Sequence, residues 1–172
     1  SLRALVLPAL AVGFFACDSG DKPEARAEAQ PSARAAKEAP ARIASQSVLA
    51  DELLWDLGED VRGRVVAVSY MADDRRYSIA RWSDEVARIG GGAERILATE
   101  PDLAIVADFT AQETKAMLRD AGVKTVELSG WDGFEDYRRH VVTIAEAVGA
   151  SEAGREVVRR FDARLAALES SK

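Results

Sequence analysis

The sequence predicts an α/β fold: a parallel sheet flanked by helices, as in a Rossmann-like lobe, followed by one long helix. Apolar runs without polar alternation recur along the chain, and such runs are typical of strands buried on both faces of a sheet. Segments with helical spacing or helix-capping residues follow these runs, and strands that alternate with helices form right-handed βαβ units. The 172 residues are sufficient for one ordinary domain.

Four strands are predicted, and each is a short run that contains Ile, Leu or Val. Their positions are residues 42–45, 65–69, 103–107 and 124–128. The second run is Val-Val-Ala-Val-Ser and the third is Leu-Ala-Ile-Val-Ala, so neither alternates between apolar and polar residues. We therefore expect helices to cover both faces of the sheet at these two strands.

Helices are predicted at residues 48–57, 93–99, 110–121, 132–148 and 151–168. Ser47 is the expected N-cap of the first helix, whereas Thr110 and Asp132 each begin a sequence with the spacing of a capping box. Ser151 is expected to cap the last helix, whose apolar residues fall on one stripe at helical spacing.

Composition divides the chain into segments of different character. We expect a signal peptide at residues 1–17, a tether at 18–41, the α/β lobe at 42–149 and the long helix at 150–172. The tether is rich in Ala, Glu, Arg, Lys and Pro and has no large apolar residue, so it cannot bury a core and is expected to be disordered. A plain flexible terminus is the alternative, and it differs only in whether anything is anchored.

The first segment resembles a bacterial lipoprotein signal. Its apolar run from Leu5 to Phe15 is too short to span a bilayer, which takes about 20 residues, but it matches the core of a secretory signal. A small residue precedes Cys17, and Phe14 stands where such signals usually carry Leu. The resemblance implies that Cys17 is lipidated and anchors the protein to a membrane. The alternative is an N-terminal strand or helix with a buried free thiol.

Charge and residue counts exclude several classes of function. The chain has 23 Lys plus Arg and 29 Asp plus Glu, and its net charge of −6 argues against nonspecific nucleic-acid binding. One cysteine cannot form an internal disulfide or a Cys-based metal site, and one histidine cannot form a multi-His site. We predict no metal site, no cofactor and no enzyme activity. His140 lies in the middle of a predicted helix, at least two turns from any strand end, and is expected to be a surface or packing residue.

Residues that directly follow the strands are the candidate binding residues, because ligands of open α/β folds bind outside the carboxyl ends of the strands. The predicted set is Ser45, Gln46, Tyr70, Met71, Asp108 and Trp131. Tyr70 and Trp131 combine a large apolar face with one polar group, which suits a large, partly apolar ligand. Ser45 and Gln46 would supply hydrogen bonds. The alternative for each of these residues is packing in the core or at a hinge.

Four stretches of the sequence resemble the first lobe of the periplasmic binding proteins for iron–siderophore, haem and cobalamin uptake. These stretches are RIASQSVLADELLWDLG, VVAVSYMADD, GGGAERILATEPDLAIVAD and LRDAGVKTVEL. Two α/β lobes joined by one rigid helix hold the ligand between them in this family. The resemblance covers residues 42–168 and implies the first lobe and the joining helix. The second lobe would then be absent from this chain, which we expect to be a fragment. The alternative is a genuine one-lobe relative of the family.

The resemblance also implies a function. It predicts a monomeric, lipid-anchored protein of the periplasm or cell surface that binds a metal chelate and delivers it to the permease of an ABC importer. Iron–siderophore, haem and cobalamin all remain open as the chelate. Glu94 matches the surface glutamate with which this family docks to arginine pockets of the permease. The alternative for Glu94 is a charge that is favourable at a helix N-terminus.

Three other functions can be weighed against the sequence. A Rossmann-like enzyme would use residues 90–92 as a phosphate loop, but these glycines lack the G-x-G-x-x-G spacing and no buried strand is predicted before them. A lipid-anchored α/β interaction domain would share every feature except the binding cleft. A binding protein for a bare zinc or manganese ion would need several histidine ligands, and the chain has one.

Overall fold

The computed structural model describes residues 39–171, and their core is a five-stranded sheet in which all neighbouring strands are parallel. The strands are β1 (Ile43–Ser45), β2 (Val65–Ser69), β3 (Ala87–Ile89), β4 (Leu103–Ala107) and β5 (Lys124–Leu128). Their order across the sheet is β3-β2-β1-β4-β5. The expected signal peptide with Cys17, and the expected tether as far as residue 38, lie outside the described residues.

Helices cover both faces of the sheet. They are α1 (Val48–Asp56), α2 (Glu59–Arg62), α3 (Ala93–Leu97), α4 (Gln112–Asp120), α5 (Phe134–Ala147) and α6 (Ser151–Ser170). One core cluster joins the sheet to α1, α2, α5 and α6, and a second joins its other face to α3 and α4. No helix between residues 39 and 171 is both long and apolar enough to cross a membrane.

The central strand β4 shows why the apolar runs lack alternation. Leu103 and Ile105 point into the cluster with α1 and α5, whereas Ala104 and Val106 point into the cluster with α3 and α4. All five residues of β4 are therefore buried. Each large aliphatic side chain that is fully buried in this way contributes about 1.5–3 kcal/mol.

The helices α5 and α6 pack closely along each other. Gly154 of α6 lies against Ala145 of α5, and a Cβ at Gly154 would overlap the Ala145 side chain. Further along α6, the ring of Phe161 lies 5.5 Å from that of Phe134 and 4.5 Å from that of Tyr137, centroid to centroid. The two helices therefore touch from the beginning of α6 to the beginning of α5.

The predicted fold class and the four predicted strands are confirmed, and one strand was missed. The edge strand β3 has only three residues, and Arg88 in its middle hides its apolar character. The Arg88 guanidinium pairs with the carboxylate of Asp73 at 2.8 Å, so the charge lies beside the sheet and not in the core. The short helix α2 was also not predicted.

The predicted helix caps at Thr110, Asp132 and Ser151 were wrong. The N-cap residues are Ala111, Gly133 and Ala150. The Thr110 hydroxyl accepts a hydrogen bond from the Ala107 N–H of the preceding strand, which removes it from the helix end. Ser47 does occupy the N-cap position of α1, but no side-chain hydrogen bond caps that helix.

Candidate ligand-binding crevice

The order of the strands creates a crevice between β1 and β4. The chain runs from β1 to β2 and β3 on one side and then crosses to β4 and β5 on the other. Ligands of open α/β sheets bind where the strand order reverses, at the carboxyl ends of the strands. A pocket of about 270 Å³ opens there, which we name the switch-point pocket. It is lined by Gln46, Tyr70, Ile89, Gly90, Gly91, Gly92, Phe109, Thr110, Ala111 and Thr114.

Gln46 connects the two sides of this pocket. Its side-chain amide donates to the carbonyl of Gly90 at 3.3 Å, and its amide oxygen accepts from the Thr110 hydroxyl at 3.3 Å. Its backbone N–H donates to the carbonyl of Ile105 at 2.9 Å, which continues the β1–β4 ladder. Gln46 therefore joins the end of β3 to the end of β4 across the pocket, and it lies among the residues that the sequence singled out.

Tyr70 stands at the mouth of the pocket with 68% of its surface exposed. Its backbone N–H donates to the carbonyl of Ile89 at 2.8 Å, which holds the end of β2 beside β3. Met71, the next predicted residue, is half-buried, and its N–H donates to the Ser69 hydroxyl at 3.0 Å. The backbone of this segment is thus fixed, whereas the Tyr70 ring extends into solvent.

A buried carboxyl group supports this segment from below. Asp51 of α1 is fully buried and accepts hydrogen bonds from the Ser69 N–H at 3.3 and 3.1 Å. Burial raises the pKa of Asp51 to about 7, although hydrogen bonds from Ser45 and Ser69 oppose the rise. The sequence shows Asp51 only as an acidic residue near a helix N-terminus, and nothing in the pattern signals that it is buried.

Ser45 does not reach the crevice surface. It is fully buried, and its hydroxyl donates to the carbonyl of Ser47 at 3.1 Å and accepts from the Ser47 N–H at 3.4 Å. Its hydroxyl also lies against the Asp51 carboxyl. Ser45 therefore supports the floor of the crevice and does not present its hydroxyl to a ligand in this structure.

Trp131 and Asp108 form a second cluster beside the pocket. The indole Nε1 donates to the Asp108 carboxylate at 3.1 Å, which ties the turn after β5 to the end of β4. The Trp131 ring is 42% exposed, and its centroid lies 6.0 Å from that of Phe109. Phe109 is 78% exposed and also lines the switch-point pocket, so it joins the two clusters. The sequence signal that could have added Phe109 to the candidate binding residues is its position just after β4.

The structure corrects the expected distance of His140 from the strand ends, whereas its burial agrees with the expected packing role. His140 is buried, and its ring centroid lies 4.7 Å from that of Trp131. Its Nε2 lies 3.0 Å from the carbonyl oxygen of Ser129 at the end of β5. The second turn of α5 folds back over the residues that follow β5, so His140 lies beside the rim, although the position in the helix suggested a distance of two turns.

Three more contacts hold the turn formed by residues 129–133, which we name the Trp131 turn. Arg139 donates to the carbonyl of Ser129 at 3.0 Å and pairs with Asp136. The Asp136 carboxylate accepts the N–H of Asp132 at 2.7 Å, and these two contacts hold the pKa of Asp136 below its usual range. Side chains at the beginning of α5 thus hold the backbone of this turn through hydrogen bonds.

The connection between β2 and β3, residues 70–86, is held by α1. The Glu52 carboxylate accepts hydrogen bonds from the Ser78 hydroxyl and from the N–H groups of Ile79 and Ala80, the latter two at 3.1 Å. Arg75 donates to the carbonyl of Ala80 at 2.8 Å. Glu52 therefore anchors this connection to α1.

Glu94 and the glycine segment lie next to the switch-point pocket. Glu94 is exposed in the first turn of α3, a position open to a partner. Residues 90–92 do follow a strand, β3, which corrects the expectation that no strand precedes them. Their spacing still lacks the third glycine of a dinucleotide loop, and α3 has only five residues, so the phosphate-loop hypothesis gains nothing from the added strand.

Another concave surface lies between α5 and α6. This groove has a volume of about 390 Å³ and is lined by Asp56, Phe134, Tyr137, Val157, Arg160, Phe161, Arg164, Leu165 and Leu168. Within residues 39–171, no three His, Cys, Asp or Glu side chains come close enough together to hold a metal ion.

The crevice defines a class of protein. Its surface is built from exposed aromatic rings, an amide side chain and glycine backbone at the switch point of an open sheet. Such a surface can take up one side of a large ligand. The fold and the crevice together match the arrangement in which open α/β sheets bind their ligands.

The comparison with known families identifies this lobe more closely. Residues 67–171, more than half of the chain, match the sequence profile of the family described as periplasmic binding protein, and the chain belongs to this family. No functionally curated protein matches the sequence.

Solved structures share the fold. The periplasmic haem-binding protein HutB of Vibrio cholerae is 20% identical with a TM-score of 0.66, over 76% of this chain and 50% of that one. The periplasmic haem-binding protein RhuT of Roseiflexus sp. RS-1, in apo form, is 23% identical with a TM-score of 0.62, over 73% of this chain and 48% of that one. The periplasmic vitamin B12-binding protein BtuF of Vibrio cholerae is 22% identical with a TM-score of 0.60, over 77% of this chain and 51% of that one. The chain spans about half the length of these proteins.

Proposed function

We propose that this chain is the N-terminal lobe and joining helix of an extracytoplasmic solute-binding protein that delivers a metal chelate to an ABC importer. The observation that carries the proposal is the aromatic crevice at the switch point of the sheet. Tyr70, Phe109 and Trp131 expose their rings around the crevice, and Gln46 joins its two sides. Membership of the periplasmic binding protein family supports the same conclusion.

The charges around the crevice favour a chelate with a broad apolar face. Arg75 turns its guanidinium to the backbone of its own connection, and Arg76 pairs with Asp74. Tyr70 offers an exposed phenol, which is one of the side chains that bind haem iron. Of the three open ligands, haem is therefore the first to test, with cobalamin and a ferric siderophore beside it. Proteins of similar solved structure bind haem, vitamin B12 or a complex of a siderophore with ferric iron.

The location and partners form part of the proposal. We infer a periplasmic or cell-surface protein that is held at the membrane through a lipidated Cys17 and acts as a monomer without catalysing a reaction. The resemblance of the first segment to a lipoprotein signal supports the anchor. The exposed position of Glu94 in the first turn of α3 suits a carboxylate that pairs with a partner's arginine.

The ligand assay uses the soluble product of the complete gene without its signal. Haem, cobalamin and a ferric siderophore are titrated in separate experiments, followed by absorbance and by tryptophan fluorescence. We expect one chelate to bind and quench Trp131, and we expect Trp131→Ala to weaken that binding. The matched control is Phe134→Ala, which removes another exposed aromatic ring, from the groove between α5 and α6, and should leave the affinity unchanged.

Tyr70→Phe tests the phenol itself if haem binds. We expect the absorbance bands of the ferric haem to change in this variant and not in Tyr77→Phe, an exposed tyrosine of the same connection. Failure of all three chelates to bind a folded protein would overturn the proposal. An anchored interaction domain, with the groove between α5 and α6 as its contact surface, would then take its place.

Docking is tested with Glu94→Gln in the presence of the importer. We expect ligand binding to be unchanged and uptake to fall. Glu59→Gln is the matched control, because Glu59 is also an exposed first-turn glutamate but lies on α2, which leads into the amino end of β2. Equal uptake by the two variants would contradict the docking role.

A further inference from the structure

The Trp131 indole is held by two side chains, Asp108 directly after β4 and His140 in the second turn of α5. Its Nε1 donates to Asp108 at 3.1 Å, and the imidazole of His140 lies against it with the two rings inclined at 53°. The same imidazole reaches the Ser129 carbonyl, two residues before Trp131, at 3.0 Å. One side chain therefore contacts both the ring of Trp131 and the backbone that carries it.

We propose that His140 is a positioning residue of the binding site, which fixes the Trp131 indole in the orientation that a ligand meets. The proposal rests on the proposed function, because it takes Trp131 as a ligand contact. His140 itself is 2% exposed and cannot touch the ligand. It acts through the Trp131 turn.

The hydrogen bond to Ser129 sets the protonation pattern of the ring. A carbonyl oxygen can only accept, so His140 Nε2 carries a proton and donates it. In neutral His140 the other nitrogen, Nδ1, is then an acceptor. Among the described residues, Nδ1 is buried and has no hydrogen-bond partner.

This unpaired nitrogen argues against a role in packing alone. A buried polar atom without a partner costs about 1–3 kcal/mol, which a leucine or phenylalanine at this position would avoid. Phenylalanine could contact Trp131 but could not donate to Ser129, and glutamine could donate but could not present a ring. Histidine combines the two contacts in one side chain, and both converge on the Trp131 turn.

Neighbouring residues of α5 act on the same turn. Arg139 donates to the same Ser129 carbonyl at 3.0 Å, and Asp136 accepts the Asp132 N–H at 2.7 Å. These hydrogen bonds fix the backbone on both sides of Trp131. The contact with His140 therefore acts on the orientation of the indole ring. A preformed ring lowers the entropic cost of binding a ligand.

The test uses two variants that each remove one half of the contact. His140→Phe keeps a ring against Trp131 and loses the donor, whereas His140→Gln keeps a donor and loses the ring. Acrylamide quenching and near-ultraviolet circular dichroism of Trp131 are measured without ligand, with Trp131→Phe as the background. We expect both variants to increase quenching and to reduce the Trp131 dichroism. We also expect the Kd for the bound chelate to rise about 3- to 10-fold, the size expected for an aromatic contact.

Val141→Ala is the matched control for loss of stability. Val141 is buried next to His140 on α5 but belongs to the core cluster on the sheet. We expect it to lower Tm while leaving Trp131 quenching and chelate affinity unchanged. A His140 variant that behaves like Val141→Ala would overturn the proposal.

A double variant separates positioning from a general effect. In the Trp131→Phe background, His140→Gln should add little to the loss of affinity, because its target ring is gone. An equal loss in both backgrounds would overturn the proposal. If the unaltered protein binds none of the chelates, the proposed function fails, and the quenching and dichroism of Trp131 alone then decide whether His140 positions it.

Discussion

Two aromatic residues mark the edges of the crevice, and the structure holds them in different ways. Trp131 is 42% exposed, is hydrogen-bonded to Asp108 and lies against a buried imidazole ring. Tyr70 is 68% exposed, and the contacts that fix it act on its backbone through Ile89 and, one residue earlier, through Asp51. One side of the crevice thus has a fixed ring, whereas the other has a fixed backbone and a ring in solvent.

The two edges are therefore suited to different contributions to ligand binding. A ring that is fixed before binding contributes shape and costs little entropy when the ligand arrives. A ring that stands in solvent can rotate to follow the ligand or to reach a metal ion at its centre. The predictions below break or sharpen this contrast, beginning with the largest expected effect.

Asp51→Asn tests the support beneath Tyr70 and should show the largest effect. The pKa of Asp51 is raised from 3.8 to about 7, so the folded state keeps a proton that the unfolded state has already lost. The free energy of unfolding of the unaltered protein should therefore fall, relative to the variant, as the pH rises from about 4 to about 7, and should stay level above that. We expect a total difference of a few kcal/mol.

Urea unfolding of both proteins at several pH values between 4 and 8 measures this effect. The subtraction removes the contribution of other carboxylates such as Asp73 and Asp74, whose pKa values are lowered by Arg88 and Arg76. A difference that does not change with pH would show that Asp51 is not protonated in the folded state at neutral pH.

Gly130→Ala tests the side of the crevice that carries Trp131. Gly130 has a φ of +78°, and a Cβ there would lie 2.5 Å from the Arg139 guanidinium. We expect the free energy of unfolding to fall by about 1–2 kcal/mol, the cost of a left-handed conformation for a residue with a side chain. Gly91→Ala is the control, because Gly91 has no positive φ and nothing within 4 Å of its Cβ position. An equal loss in the two variants, measured by chemical unfolding, would contradict the strain at Gly130.

Asp108→Ala removes the hydrogen bond to the Trp131 indole. We expect the free energy of unfolding to fall by about 1 kcal/mol and the near-ultraviolet circular dichroism of Trp131 to decrease. Asp108→Asn keeps an oxygen acceptor and should restore most of both signals. If the amide variant were as impaired as the alanine variant, the negative charge and not the hydrogen bond would be the important property.

Tyr70→Phe should have the smallest effect on stability. An exposed phenol outside a hydrogen-bond network contributes within about 0.5 kcal/mol, so thermal and chemical unfolding should be nearly unchanged. A loss comparable to that of Asp108→Ala would show that the Tyr70 side is as firmly held as the Trp131 side, and the contrast between the edges would disappear.

The sequence predicted the sheet well because burial on both faces leaves a clear signal. Leu103 to Ala107 and Val65 to Ser69 read as continuous apolar runs for the same reason that they lie in the interior. The strand β3 was missed because an edge strand needs few apolar residues, and the charge of Arg88 is compensated locally by Asp73. Local ion pairs of this kind cannot be read from composition.

The site was predictable in outline and not in depth. The rule that ligands bind at the carboxyl ends of strands led to Gln46 and Tyr70, and both line the switch-point pocket. The rule does not show which of the side chains near the strand ends are buried. Ser45 follows the rule but lies beneath the surface, and His140 violates it but lies beside Trp131, because α5 folds back over the end of β5.

The close packing of α5 against α6 has a mechanical consequence. Gly154 leaves no gap to Ala145 at one end of the contact, and at the other Phe161 lies against Tyr137, one turn from the start of α5. The two helices should therefore shift together as one lever. Since residues at the beginning of α5 also hold the Trp131 turn, a movement of α6 should be transmitted to the wall of the crevice that carries Trp131.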